Sequence, residues 1–199
     1  ITELILLFFL PILCGSLFQQ LYNTVDAIVV GNFVGKEALA AVGGSSAVFV
    51  QLIVGFFTGI TNGGGVIISQ AYGAKASSTL SKTVNTSILL SIIGGIAMTV
   101  LGMIFARPIL RITKCPDTVL LPSAIYLTIF FSGLVPMFLY NMCAGILRGT
   151  GDSKTPLVIL IIGCFSNIFL DLLFVVFLNA GIEGVALATV LCQIESAAI

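Results

Sequence analysis

Residues Leu4 to Val30 read LILLFFLPILCGSLFQQLYNTVDAIVV. The run exceeds the ~20 apolar residues that a helix needs to cross a bilayer. It also holds two residues that a passive span avoids. Pro11 removes a backbone donor and bends a helix. Asp26 places a carboxylate at membrane depth, where charge is costly and its default reading is functional. A helix that bends at one point and gains or loses charge at another has the parts of a switch.

The rest of the chain has the composition of such a span. Apolar residues make up 58% of the 199 and charged residues 8%, with mean hydropathy +1.21. Ordinary soluble domains carry about 25% charged residues, so this chain has too little charge to cover a water-facing surface. The alternation of a transmembrane barrel is absent. The fold class is therefore all-α, a polytopic membrane helical bundle. Net charge is zero, which points to no nucleic-acid partner. Histidine is absent, and with it the commonest general base and metal ligand near neutral pH. Cys14, Cys115, Cys143, Cys164 and Cys192 are scattered without CxxC spacing and read as packed thiols. No cofactor is called for. The chain opens on Ile1 and stops inside an apolar segment, so it reads as a fragment of a longer protein. No charged n-region or small-residue cleavage site precedes the first span, so that span is not expected to be a secretory signal.

Six transmembrane segments are expected, near 4–30, 46–71, 84–106, 118–147, 157–178 and 185–199, the last truncated. Pro122 and Pro136 interrupt the fourth. Gly63, Gly64 and Gly65 in the second suit close helix approach. The positive-inside rule does not orient the bundle. Lys75, Lys82, Arg148 and Lys154 lie in loops on one side, and Lys36, Arg107, Arg111 and Lys114 on the other.

Within the spans the clear ionisable groups are Asp26 and Asp171. Glu3 lies at an edge and Glu195 near the chain end. Lys and Arg are absent from the spans, so neither Asp has a cationic partner. Such a carboxyl is either protonated or ionised beside a bound cation, and both states suit ion-coupled transport. Odd-numbered segments cross in the same direction, which puts Asp26 and Asp171 in the same half of the membrane. Thr189, early in segment six, reaches a similar depth. Gln19, Tyr22, Asn23 and Asp26 recur at i, i+3, i+4 and i+7 and form one polar stripe. Asn167 and Asp171 share a face, as do Thr189 and Gln193. Asp26, Asn167, Asp171 and Thr189 together offer hard oxygens that suit Na⁺, while the same carboxylates can take protons. Single Asn and Thr residues also serve as interhelical glue. Tyr22 also fits an interfacial anchor, and Pro11 a static kink.

Four stretches resemble the multidrug and toxic compound extrusion (MATE) family: LPILCGSLFQQLYNTVDAIVVGNFVGKEALAAVG (Leu10–Gly43), ISQAYGAK (Ile68–Lys75), LRGTGDSKTP (Leu147–Pro156) and NIFLD (Asn167–Asp171). The resemblance covers the whole chain and implies the amino-terminal six-helix lobe of a two-lobe, roughly twelve-helix transporter. The carboxy-terminal lobe is missing. It implies a multi-pass protein of the cell membrane, the inner membrane where there are two. It also implies a cation-coupled antiporter that exports cationic or amphiphilic small molecules in exchange for H⁺ or Na⁺. Asp26, Asp171, Asn167, Thr189 and Tyr22 look like the family's cation-binding residues, and Pro11 like its helix-bending proline. Gln19, Asn23 and Asn141 are candidates for the substrate cleft. The family's cytoplasmic amino terminus would put the loops near 72–82 and 148–156 in the cytoplasm.

Other readings remain open. A lipid-linked oligosaccharide flippase of the same superfamily predicts a cleft lined by arginines. A structural membrane protein without transport predicts tolerance to loss of both aspartates. A membrane-embedded enzyme lacks a nucleophile motif, histidine or paired acids on one helix.

Overall fold

In lipid every backbone donor and acceptor must be satisfied within its own segment, and a helix does this. The computed structural model describes residues 2–199. The side chains of residues 2–8, with Glu3 among them, and of residue 45 lie outside the described residues. The described residues form α1 (Thr2–Val29), α2 (Lys36–Gly43), α3 (Ser45–Gly73), α4 (Ser77–Ile112), α5 (Asp117–Ser132), α6 (Leu134–Gly149), α7 (Lys154–Asp171) and α8 (Gly181–Ala198). Two π-helical turns, Val30–Val34 and Leu172–Phe177, continue α1 and α7.

Among the described residues, four stretches are long and apolar enough to cross a membrane: Lys36–Gly73, Ser77–Ile112, Lys154–Phe177 and Gly181–Ala198. The bent pair α5–α6 makes a fifth. The 28-residue α1 packs along α7. α8 lies against α5, α6 and α7, while α4 packs on α5 and α6. Phe131, Phe138, Leu127, Leu134 and Leu110 fill the core between them. The outward faces stay apolar, with Leu52, Phe56, Ile104, Phe165 and Phe169 exposed, as a lipid-facing surface requires.

Several connections are more helical than the sequence suggests. The stretch between the expected first and second segments, 31–45, holds most of a π turn and all of α2. α4 runs from Ser77 to Ile112 through Pro108, well beyond the expected 84–106. α6 carries Arg148, and α7 begins at Lys154. The expected fourth segment is two helices bent by 50°. The break falls at neither proline but at Gly133. A Cβ there would lie 2.5 Å from Gln193 Oε1 and 2.9 Å from Val190 Cγ2 on α8. Pro136 sits in the first turn of α6, where its missing N–H has no intrahelical partner to lose.

Glycines set the closest helix approaches, though not all three of the expected cluster do. Gly65 packs near the Gly145 carbonyl, while a Cβ on Gly63 would meet nothing within 4 Å. The tighter contact is α4 on α6. A Cβ on Gly95 would lie 2.9 Å from Val135 Cα. Backbone cannot yield as a side chain does, so Gly95→Ala is expected to cost about 1–3 kcal/mol. It should lower the midpoint of thermal unfolding in detergent, and an unchanged midpoint would refute the contact.

Candidate functional site

Asp26 lies on the last turn of α1, and Asp171 is the final residue of α7. α1 packs along α7, so the two carboxyls face each other. Asp171 is 0% exposed and Asn167, one turn earlier, 1%. Asp26 is half-buried and opens on a cleft. The arrangement therefore has an accessible acid in front and a sealed acid behind it.

Tyr22, one turn before Asp26, donates from its hydroxyl to Thr189 Oγ1 at 3.5 Å. Thr189 in turn donates to the Val185 carbonyl at 3.1 Å. This chain ties α1 to α8 beside the acids. Tyr126 of α5 is buried and lies within electrostatic reach of both carboxyls. No polar periodicity on α5 marks Tyr126, which is why spacing along the chain did not single it out.

The buried oxygens are short of donors. Asp26 Oδ1, both oxygens of Asp171 and both side-chain polar atoms of Asn167 have no hydrogen-bond partner among the described residues. An unpaired buried polar group costs about 1–3 kcal/mol, so a cluster of them needs a reason. Two carboxylates in contact repel unless a proton or a cation lies between them. The available donors are hard oxygens, which fit H⁺ or Na⁺. Among the described residues no group of three His, Cys, Asp or Glu side chains is placed to hold a metal ion. Any bound Na⁺ would therefore need the amide and hydroxyl oxygens as well as the acids.

One side of the pair is closed. Val29 and Val30 lie just beyond Asp26, Val175 one turn beyond Asp171, and Val185 one turn from Thr189 toward the same end. These residues and Ala38 form a buried apolar cluster. Val30 and Val175 belong to the two π turns, a wide geometry that recurs at functional sites. The other side is open. A cavity of about 530 Å³ is lined by Asp26, Tyr22, Gln19, Asn23, Asn141 and Thr189, with Tyr126 among the remaining wall residues. Pro11 lies away from this cluster and lines a second cavity of about 370 Å³. Gln19, Tyr140, Asn141 and Leu160 line both cavities, so the chambers adjoin. Glu195, whose depth the sequence leaves open, accepts a 3.0 Å hydrogen bond from Ser166 in the middle of α7.

The chain is similar in sequence and in fold to known proteins. The MatE family model matches residues 11–173. The chain belongs to this family, MATE. A curated relative, the probable multidrug resistance protein YoeA of Bacillus subtilis, is 38% identical over 194 residues, which is 96% of this chain and 42% of the relative. The MATE chain thus spans about two-fifths of the length of such relatives. Two crystal structures of a MATE protein, in bent and in straight conformations, each superpose with a TM-score of 0.91 at 28% identity. They match 99% and 98% of this chain and 44% and 43% of their own. The protein is accordingly a multi-pass helical membrane protein of a transporter family and not an enzyme.

Proposed function

We infer that this chain is one lobe of a cation-coupled multidrug efflux antiporter that exports cationic or amphiphilic compounds in exchange for H⁺ or Na⁺. The observation that carries the reading is the buried, donor-poor pair Asp26–Asp171, with Asp26 opening on the cleft. A missing second lobe would supply the facing wall. With the amino terminus cytoplasmic, the acids lie in the outer half of the membrane.

The pair favours a state that accepts a cation. Binding at Asp26 and Asp171, with Asn167 and Thr189 as neutral oxygen donors, removes the like-charge repulsion and lets α1 and α7 pack more closely. α1 then bends at Pro11, the cleft narrows, and the solute leaves. Solute and cation act on one conformational equilibrium, each through its differential affinity for the two states. Tyr22 positions α1 on α8 through Thr189 without carrying the ion's charge. Tyr22→Phe is expected to slow efflux only about two- to tenfold, the worth of one neutral hydrogen bond. A loss as deep as that of an aspartate variant would show that the phenol binds the ion.

The test is efflux of a fluorescent cationic dye from vesicles holding the full-length protein under an imposed H⁺ or Na⁺ gradient. Efflux driven by one gradient identifies the coupling ion. No efflux under either gradient would overturn the reading.

A further inference from the structure

The two chambers differ in charge. The larger contains Asp26 and is lined by no Lys or Arg. The smaller contains Arg148 and, among the described residues, is lined by no Asp or Glu. Along α1 the two ends are about 22 Å apart, from Asp26 to Pro11 at ~1.5 Å per residue.

Arg148 stands in the last turn of α6 and is half-buried. The acid nearest it in sequence, Asp152, is committed elsewhere. Its Oδ1 accepts from the backbone N–H groups of Lys154 and Thr155, both at 3.0 Å, and its Oδ2 from the Thr155 hydroxyl at 2.6 Å. The hydrogen bonds from Thr155 hold the Asp152 carboxyl below the usual carboxylate range. The loop acid thus starts α7 and leaves the guanidinium facing the chamber. Other donors converge there. Gln20 Oε1 accepts from Asn23 at 3.5 Å, which leaves the Gln20 amide N–H groups free. Ser153 is a buried residue that lines the chamber wall. Pro11, Ile12, Leu157 and Leu160 supply apolar surface.

We propose that the smaller chamber is a subsite for an anionic oxygen group, a carboxylate or phosphate on an amphiphilic solute, bound by Arg148 with Gln20 and Ser153. The ligands of the protein then include zwitterions and acids as well as cations. A guanidinium presents a planar fork of donors that matches such groups. The subsite deepens the efflux reading by naming a second substrate class, but its test needs no transport.

The experiment is a binding titration by fluorescence anisotropy, with the full-length protein in nanodiscs. The probes are a rhodamine with a free carboxylate and its methyl ester. Arg148→Gln is expected to weaken binding of the acid about tenfold or more and to change that of the ester less than twofold. Arg148→Lys should keep part of the acid's affinity, and Gln20→Met should lower it without altering the charge. Retained ester binding is the check on folding. Asp26→Asn should leave the acid-to-ester difference intact, so failure here and failure of the coupling account are distinguishable. Comparing phosphatidylcholine with phosphatidylglycerol nanodiscs separates the sources of the anion. An acid affinity that falls with phosphatidylglycerol only when Arg148 is present puts a lipid phosphate in the same subsite. An affinity independent of lipid assigns the subsite to the soluble carboxylate. Equal effects of Arg148→Gln on acid and ester, or none on either, would overturn the proposal.

Discussion

Asp26→Asn lowers gradient-driven dye efflux roughly five- to 150-fold, the range that one coupling free energy spans, and leaves the fold intact. The substitution keeps shape and removes only charge. Asp26 is the acid that the cleft reaches, while Asp171 behind it is fully buried. A neutral amide at position 26 ends the repulsion whether or not a cation is bound. The cation then loses its differential affinity for the two states, and a ligand with equal affinity for both shifts nothing. Stability in detergent should hold or rise, since the repulsion between two facing carboxylates is gone. Asp171→Asn should produce a similar loss. The two effects should not add, because both act through one pair. Additive losses would mean two independent sites.

Pro11→Ala is the second large effect. A proline inside a helix removes the bond to the carbonyl four residues earlier and costs about 3 kcal/mol relative to alanine. Alanine restores that bond and favours a straight α1. A bias of about 3 kcal/mol is on the order of a hundredfold in an equilibrium constant, enough to depopulate a bent state. Efflux should fall to a similar extent as in Asp26→Asn. Binding of the cation itself should persist, because the acids lie about 22 Å away along the helix. The two variants thus separate ion binding from its consequence. Spin labels on either side of residue 11 in the full-length protein should report two distances in the wild type and one in Pro11→Ala. Two distances in both would show that the proline is a static kink.

The polar pair was legible because it rests on two simple periodicities. Helical spacing put Tyr22 and Asp26 on one stripe and Asn167 on the face of Asp171, and the alternation of spans put the acids at one depth. What spacing cannot reveal is contact between elements without a repeat. Tyr126 lies in a mostly apolar helix with no ionisable neighbour at helical spacing, yet α5 brings it within electrostatic reach of the acids. Arg148 reads as a loop charge, but the helix continues far enough to turn it into a cavity. Pro122 and Pro136 mark the fourth segment as interrupted because the proline rule is local, but the bend falls at Gly133. Its occupant is side chains of α8, which only the packed bundle shows. The π turns escape detection for the same reason, since no residue type signals an i→i+5 bond.

Linkage requires that if the cation weakens solute binding, the solute weakens cation binding by the same factor. The most direct measurement is therefore the affinity of the full-length protein for a cationic dye, by anisotropy, across pH and Na⁺ concentration without a gradient. The account predicts that dye affinity falls as the coupling cation rises in the wild type and stays flat in Asp26→Asn. A wild-type affinity independent of both H⁺ and Na⁺ would contradict it.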